Sequence, residues 1–170
     1  MKSPPPGVRP TSDRVREALF NALEAKQVPF DRVLDSYAGS GALGIEALSR
    51  GDGACDFVEQ NAAASKVIGQ NLALTDLEER GQVHKATLAS ALERLSGPYT
   101  LVFADPPYDD NEALATLERL ASSSLIAKDG TLVLEHSSRQ SAPEKLGRLR
   151  LDWSRRYGDT QVSMYQEDAS

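Results

Sequence analysis

A strand, a glycine-rich turn and the start of a helix are encoded in residues 33–44, which read Val-Leu-Asp-Ser-Tyr-Ala-Gly-Ser-Gly-Ala-Leu-Gly. Val33–Asp35 is a short apolar run that ends in an acid, and the apolar spacing within Ala42–Ser49 predicts a helix. Glycines suit the turn because a tight strand-to-helix connection needs backbone conformations that residues with a Cβ disfavour. They also let a ligand approach the backbone closely where the helix begins. The stretch therefore predicts a strand–turn–helix unit with a candidate ligand site at its turn.

Strands and helices alternate along the whole chain. The predicted strands are Val33–Asp35, Ala54–Glu59, Gln82–Ala86, residues 99–104 and Thr131–Glu135. The predicted helices are one that begins after a cap at Thr11, Ser12 or Asp13, then Ala42–Ser49, Ala62–Leu74, Leu88–Leu95 and Glu112–Ala121. A turn is predicted at Lys128–Gly130, and an antiparallel hairpin around Gly158-Asp159 is predicted from Arg148–Tyr157 and Gln161–Gln166. This alternation predicts an α/β protein with a mainly parallel sheet and right-handed crossovers.

Length and composition indicate one soluble globular domain. A chain of 170 residues with 40% hydrophobic and 26% charged residues can bury a substantial core, so we expect a single domain over residues 1–170. The single cysteine, Cys55, lies in an apolar run, which predicts a buried thiol and excludes an internal disulfide and a cysteine-based zinc site. His84 and His136 have no partners at metal-ligand spacing. These residues therefore predict no metal site. We also expect a monomer, although the sequence does not determine the oligomeric state.

The start of the chain is rich in proline. Residues 1–10 contain four prolines and no apolar core of a signal peptide, so we expect an extended lead rather than a leader sequence. No stretch of the chain reaches the apolar length that spans a membrane. These observations predict a cytoplasmic protein.

The charge is unevenly distributed. The net charge is −6, yet residues 1–20 carry four Lys/Arg against two Asp/Glu, and residues 139–156 carry six against two. The middle of the chain, residues 21–138, carries nine against eighteen. The two basic ends could form one phosphate-facing patch if they meet in space, and scattered solvated charge is the alternative. Arg9, Arg14 and Arg16 are candidates to contact phosphate or a cofactor carboxylate, or are solvated.

A second candidate site follows the fourth predicted strand, in the sequence Tyr-Thr-Leu-Val-Phe-Ala-Asp-Pro-Pro-Tyr at residues 99–108. Its apolar run is typical of a parallel strand covered on both faces, and Asp105 stands at the carboxyl end. Pro106 and Pro107 stiffen the backbone, while the carbonyl groups of Asp105 and Pro106 remain able to accept hydrogen bonds. Tyr108 adds a flat aromatic face. Together these groups predict a site for a planar molecule that carries an NH2 group.

The glycine turn and a later acid indicate a cofactor that contains a nucleoside. Glu59 lies eighteen residues past Gly41, at the end of the next strand, where a carboxylate can accept hydrogen bonds from ribose hydroxyls. Ligands of open α/β sheets bind where the strand order reverses, at the carboxyl ends of the strands. If the first and fourth strands are neighbours, the glycine turn and Asp105 face one crevice.

Two cofactors compete for this turn. Residues 39–44 match the dinucleotide pattern G-x-G-x-x-G, which favours NAD but is a weak signal by itself. Asp35 would repel a pyrophosphate and attract an ammonium group. In addition, the Asp-Pro-Pro-Tyr sequence would have no function in an NAD-dependent enzyme. S-adenosylmethionine has an amino-acid end, a ribose and an adenine, so it fits Asp35, the glycines and Glu59 together.

The chain resembles the class I S-adenosylmethionine-dependent methyltransferases, and within them the RsmD-type family that methylates N2 of a guanine in bacterial small-subunit ribosomal RNA. Three stretches carry the resemblance: residues 9–21 (Arg-Pro-Thr-Ser-Asp-Arg-Val-Arg-Glu-Ala-Leu-Phe-Asn), residues 35–51, and Asp105-Pro-Pro-Tyr108. The last motif marks amino-group methylation in general, and the first narrows the likeness to this family.

The resemblance implies a Rossmann-like fold with a seven-stranded, mainly parallel sheet, helices on both faces and a C-terminal antiparallel hairpin. It implies catalytic roles for Asp105, Pro106, Pro107 and Tyr108. The implied residues that bind S-adenosylmethionine are Asp35, Tyr37, Ala38, Gly39, Ser40, Gly41, Glu59, Gln60, Thr87 and Leu88. The implied contacts to ribosomal RNA, in a small-subunit or assembly particle, are Arg9, Thr11, Arg14 and Arg16.

Two departures from the family pattern affect these expectations. Family members begin with a basic hairpin before the Arg-Pro-Thr stretch, whereas only eight residues precede Arg9 here, so RNA would be held otherwise or the chain is shortened. Thr87 stands where many relatives of this fold have an acid near the adenine amino group, so adenine would contact backbone near Thr87 and Leu88. The alternatives are amino methylation of another base in RNA or DNA, a dinucleotide-dependent oxidoreductase, and a non-catalytic RNA-binding protein.

Overall fold

The computed structural model describes residues 1–3, 12–107 and 110–168. The helices are α1 (Asp13–Ala25), α2 (Ala42–Arg50), α3 (Ala62–Leu74), α4 (Leu88–Ala91) and α5 (Asn111–Ser122), with a short 3₁₀ helix at Glu78–Arg80. The strands are β1 (Arg32–Asp35), β2 (Ala54–Glu59), β3 (Gly81–Lys85), β4 (Tyr99–Ala104), β5 (Ile126–Ser137), β6 (Lys145–Leu146), β7 (Leu149–Tyr157) and β8 (Thr160–Gln166).

All eight strands form one sheet in the order β3-β2-β1-β4-β5-β8-β7-β6. The strands from β3 to β5 pair in parallel, whereas β8, β7 and β6 pair antiparallel, so the predicted α/β class and the C-terminal hairpin are confirmed. The expected count of seven strands is wrong by one. The additional strand is β6, whose Leu146 pairs with Leu149 across a turn at Gly147, where φ is +55°. Both leucines are buried, so this short strand extends the apolar face of the sheet.

Helices cover both faces of the sheet, as expected. Successive strand residues point to opposite faces, and each face therefore has its own core. Val33 and Phe103 pack with α1, α2 and α3, whereas Leu34 and Val102 pack with α4 and α5. Cys55 is 1% exposed in the first core, so the predicted buried thiol is confirmed, and burial raises the pKa of this thiol.

Helix α1 begins at the edge of the sheet where the parallel strands end. Ser12 is its N-cap, the second of the three expected candidates, and the Ser12 hydroxyl oxygen accepts a hydrogen bond from the Val15 amide at 3.3 Å. Phe20, in the middle of the helix, packs on Phe103 near the end of β4, with ring centroids 5.7 Å apart. The chain then runs from the end of α1 to the start of β1. The first turn of α1 therefore lies at the carboxyl ends of the strands.

The predicted turn at Lys128–Gly130 is wrong, because these residues lie within β5. Tyr99 of β4 pairs with Ile126, but Leu101 pairs with Thr131, so the longer segment of β5 forms a bulge. Gly130 allows the close approach, since a Cβ there would lie 2.9 Å from the Tyr99 carbonyl oxygen. The Asp129-Gly130 pair, which by itself favours a turn, is therefore part of a bulge inside β5.

Neither a membrane-spanning helix nor a cluster of metal-ligating side chains occurs among the described residues. Among them, no helix combines the length and apolar character needed to cross a bilayer. Over the same residues, no three His, Cys, Asp or Glu side chains are grouped so that they could hold a metal ion.

Candidate functional site

The strand order reverses between β1 and β4, and a cavity of about 760 Å³ opens at the carboxyl ends of these strands. The sequence had left open whether the two strands are neighbours, and they are. The cavity is large enough for a nucleoside cofactor. Most of the predicted cofactor and catalytic residues line it: Asp35, Tyr37, Ala38, Gly39, Ser40, Glu59, Gln60, Thr87, Leu88, Asp105, Pro106 and Pro107.

Asp35 is the most buried carboxyl of the cavity, with 3% of its surface exposed. Its Oδ2 accepts a hydrogen bond from the Gly44 amide in the first turn of α2, at 3.0 Å. Burial raises the pKa of Asp35 from 3.8 to about 7, and the charges of Glu59, Asp105 and Glu135 act in the same direction. A carboxyl group therefore occupies the helix terminus at which a dinucleotide fold binds pyrophosphate. This arrangement favours a cationic ligand group over a phosphate.

Glu59 joins the end of β2 to the glycine turn. Its Oε1 accepts a hydrogen bond from the Gly39 amide at 2.9 Å, and its Oε2 accepts one from the Asn61 amide at 2.8 Å. A carboxylate oxygen has two lone pairs, so both oxygens retain acceptor capacity toward a ligand. The two backbone bonds hold the carboxylate in one orientation at the cavity.

Gly41 and Gly44 shape the turn from the protein side. Gly41 is the N-cap of α2 with φ +81°, a conformation that favours glycine, and it is the one predicted cofactor residue that does not line the cavity. A Cβ at Gly44 would lie 2.4 Å from Cε1 of Phe57 and 2.8 Å from Sγ of Cys55. Gly44 therefore lets α2 pack directly on β2, which keeps the Gly44 amide within reach of Asp35.

Replacing Gly44 with alanine is expected to destabilise the protein by about 1–3 kcal/mol, because a methyl group would overlap two buried side chains. Gly69→Ala in α3 is the matched control, since a Cβ there meets nothing within 4 Å. The control is expected to stabilise the protein by roughly 0.5–1 kcal/mol through helix propensity. Urea unfolding of both variants measures these changes. Equal stability of the two variants would contradict the packing argument.

The start of the Asp-Pro-Pro segment is tied to the loop after β1. The Phe103 carbonyl oxygen accepts hydrogen bonds from the Ser36 amide at 2.9 Å and from the Ser36 hydroxyl at 2.5 Å. Two residues later, Asp105 lies half-buried at the cavity, followed by Pro106, which is buried, and Pro107, which is exposed. Tyr108 lies outside the described residues.

One wall of the cavity was not predicted from the sequence. Asp110, Glu112, Ala113 and Thr116, at the start of α5, line it. Asp110 caps α5, because its Oδ1 accepts hydrogen bonds from the Glu112 and Ala113 amides at 2.9 and 3.2 Å. Burial raises the pKa of Tyr37 to about 12, with a further contribution from the charge of Asp110. The signal that could have located this wall was an acid at the N-cap of a periodic apolar helix, three residues beyond the Asp-Pro-Pro segment.

The remaining described residues from the prediction are Thr87, which lines the cavity, and two arginines of α1. Thr87 uses its hydroxyl oxygen to cap α4, where it accepts a hydrogen bond from the Ser90 amide at 3.2 Å. Of the predicted RNA contacts, the two described ones do not line the cavity: Arg14 is exposed on the first turn of α1, and Arg16 pairs with Asp13 at 2.7 Å. Arg9 and Thr11 lie outside the described residues.

The chain is similar in sequence and in fold to several known proteins. Residues 1–166 match the family described as Conserved hypothetical protein 95. The chain is 34% identical over 164 residues to the Ribosomal RNA small subunit methyltransferase D of Escherichia coli (strain K12), and the match covers 96% of this chain and 82% of that protein. A solved structure of a conserved hypothetical protein from Streptococcus pyogenes is 35% identical, with a TM-score of 0.81 over 90% of this chain and 95% of that chain.

The same fold occurs in a more distant structure, an RNA methyltransferase from Salinibacter ruber in complex with S-adenosyl-L-homocysteine. That chain is 14% identical to this one, with a TM-score of 0.71 and 95% of each chain covered, so the likeness concerns the fold alone. The family match and the Escherichia coli relative cover almost the whole chain. The chain therefore belongs to the Conserved hypothetical protein 95 family, the RsmD-type methyltransferases that its sequence resembles.

Proposed function

We propose that this protein transfers a methyl group from S-adenosylmethionine to the exocyclic N2 of a guanine in small-subunit ribosomal RNA. The observation that carries the proposal is that Asp35, Glu59 and the Asp105-Pro-Pro segment all line one cavity. The family and the named function of the Escherichia coli relative support ribosomal RNA as the substrate. An enzyme with this substrate would act in the cytoplasm.

The donor set of the cavity fits S-adenosylmethionine. Asp35 is a buried acid whose ionised form an ammonium group would stabilise, and Glu59 presents an oriented carboxylate to ribose hydroxyls. Tyr37, Thr87 and Leu88 supply wall surface for the rest of the nucleoside. When bound, this cofactor supplies an electrophilic methyl group on a sulfonium.

The Asp105-Pro-Pro segment would position the amine. The lone pair of an exocyclic base amine is delocalised into the ring, which makes it a poor nucleophile. Hydrogen bonds from the NH2 group to the Asp105 carboxylate and the Pro106 carbonyl would localise the lone pair and fix its direction. Such orientation can contribute about 7–11 kcal/mol at best. Asp105 acts first as a hydrogen-bond acceptor, since methylation makes the nitrogen acidic enough to release its proton without a dedicated strong base. We propose that Tyr108 stacks on the flipped base.

Replacing Glu59 with glutamine is expected to weaken binding of S-adenosylhomocysteine by roughly 10- to 100-fold, the effect of losing hydrogen bonds to a charged acceptor. The amide oxygen can still accept from Gly39, but the amide NH2 would face the Asn61 amide. Isothermal titration calorimetry measures the change. Glu93→Gln, at an exposed position outside the cavity, is the control and should bind as the wild type does. Unchanged affinity in the Glu59 variant would remove Glu59 from the cofactor site.

Methyl transfer from tritiated S-adenosylmethionine tests the proposed function directly. The acceptors are naked small-subunit ribosomal RNA, small-subunit particles and DNA, followed by nucleoside analysis of the labelled product. We expect label in N2-methylguanosine from one or both of the ribosomal acceptors. Label in N6-methyladenosine or N4-methylcytidine would mean that the protein methylates adenine or cytosine and not guanine. An absence of transfer by folded protein that binds S-adenosylhomocysteine would refute methylation of these acceptors.

A further inference from the structure

The arginines of β7 differ between the two ends of the strand. Near its start, Arg150 pairs with Asp168 at 2.5 Å, and the neighbouring Arg148 pairs with Glu167 at 2.6 Å. Near its end, Arg155 and Arg156 are exposed, and neither has a carboxylate partner among residues 1–3, 12–107 and 110–168. Positive charge is therefore neutralised at one end of the strand and presented to solvent at the other.

The unpaired end of β7 lies at the same edge of the sheet as the cavity. Ala104, Leu134, Ser163 and Ser154 form one row across β4, β5, β8 and β7. Asp105 follows Ala104 and Arg155 follows Ser154. Because β7 runs in the same direction as β4, both residues lie one position beyond this row on the same side. Three interstrand steps of about 4.8 Å separate them, a distance of roughly 14 Å. Arg156 and the hairpin turn lie farther toward solvent along the same edge.

The turn around Gly158 keeps both guanidinium groups in place. The Arg155 guanidinium lies over the ring of Tyr157, 5.9 Å from its centroid, and that ring packs on the core. The Arg156 Nε donates a hydrogen bond to the Gly158 carbonyl at 2.8 Å, a bond that does not use its two terminal nitrogens. The tip also carries one exposed carboxylate, Asp159. With two arginines and one acid, the tip carries a net positive charge.

Two further exposed arginines lie at this edge. Arg139 follows the end of β5, where the Ser138 amide donates a hydrogen bond to the Asp159 carbonyl at 2.9 Å. Arg14 lies in the first turn of α1, which also reaches the carboxyl ends of the strands. Arg14, from the basic start of the sequence, and Arg139, Arg155 and Arg156, from its basic C-terminal part, thus lie at the same edge of the sheet as the cavity.

We propose that the tip of the β7–β8 hairpin, with Arg155 and Arg156 as its principal contacts, binds the phosphate backbone of the RNA next to the target base. This inference rests on the proposed function, because it assumes that the base enters the adjacent cavity. Arginine is well suited to the task, since its planar fork binds phosphate through two hydrogen bonds. A few nucleotides of backbone span the distance between the cavity and the tip.

The test compares the double variant Arg155→Ala/Arg156→Ala with Arg150→Ala, a matched control on the same strand. Fluorescence anisotropy with a short labelled single-stranded RNA that contains guanine measures binding at several salt concentrations. We expect the double variant to bind about 10- to 100-fold more weakly at low salt. Loss of two phosphate contacts should reduce the slope of log affinity against log salt by about 1.4. The control should stay within twofold of the wild type.

Catalysis and cofactor binding provide independent measurements. For the double variant, the KM for small-subunit ribosomal RNA should rise at least tenfold, while kcat and the affinity for S-adenosylhomocysteine stay within twofold of the wild type. If the wild type methylates ribosomal RNA and the double variant keeps the same KM and salt slope, the hairpin proposal is wrong and the proposed function stands. If the double variant loses RNA binding but the wild type methylates no RNA, the hairpin surface stands and the proposed function fails. A wild type that binds no RNA contradicts both.

Discussion

Replacing Asp105 with alanine is expected to lower kcat for methyl transfer to ribosomal RNA by roughly 10³-fold, at the upper end of the range of about 10²–10³ that is lost when one preorganised hydrogen-bonding group is removed. The variant removes the carboxylate that would orient the amine at the carboxyl end of β4. Affinity for S-adenosylhomocysteine should remain within about threefold of the wild type, because Asp35 and Glu59 are untouched. Single-turnover methyl transfer and calorimetry measure the two quantities.

Two further variants sharpen this prediction. Asp129→Ala, at an exposed position in the β5 bulge, is the control and should retain the wild-type rate. Asp105→Asn keeps one oxygen acceptor and loses the charge, so its rate should lie between those of the wild type and the alanine variant. A rate for Asp105→Ala within tenfold of the wild type would mean that Asp105 does not position the amine.

Replacing Asp35 with asparagine is expected to weaken cofactor binding by roughly 100-fold while it stabilises the ligand-free protein at alkaline pH. Burial raises the pKa of this carboxyl from 3.8 to about 7. Between these values the unfolded chain has released the proton while the folded protein retains it, so the free energy of unfolding falls as pH rises through this window. This difference in pKa lowers the free energy of unfolding by about 4 kcal/mol once the pH exceeds 7. An asparagine carries no such penalty.

Urea unfolding at acidic and alkaline pH measures the difference between the two proteins. The stability advantage of Asp35→Asn should be small near pH 4, grow to pH 7 and then level off. Asp31→Asn, at an exposed position immediately before β1, is the control and should show no such growth. A constant difference across this range would contradict the assigned pKa. Cofactor affinity of the wild type should rise over the same window, because an ammonium group binds the ionised carboxyl.

The sequence was most informative where local chemistry alone determines the structure. The glycine turn, Glu59 at the end of β2 and the Asp105-Pro-Pro segment were all located from their residue types, and β2, α3 and β4 have the predicted bounds. These elements have strong local signals: continuous apolar runs, glycines at a turn and prolines after a strand. Local signals of this kind do not depend on which strands become neighbours.

The features that the sequence missed depend on tertiary contacts. The two-residue strand β6 forms because β7 is beside it, and a run this short has no periodicity of its own. The Asp-Gly pair of Lys128–Gly130 is a turn signal locally, but pairing with β4 retains it in β5. The wall formed by Asp110 and Thr116 follows from how α5 packs over the cavity. The acid at its N-cap marks where α5 begins, but it does not indicate that this helix faces the cavity.

The double hydrogen bond from Ser36 to the Phe103 carbonyl has a consequence for how this fold can diversify. It fastens the loop that would hold the methyl donor to the segment that would hold the acceptor, across one interstrand spacing of about 4.8 Å. That spacing is a property of backbone pairing and does not depend on which side chains line the cavity. Changes in α5 or in the hairpin can therefore alter which amine is admitted without changing the distance over which the methyl group travels. In this architecture the distance between donor and acceptor can therefore be conserved while the choice of acceptor changes.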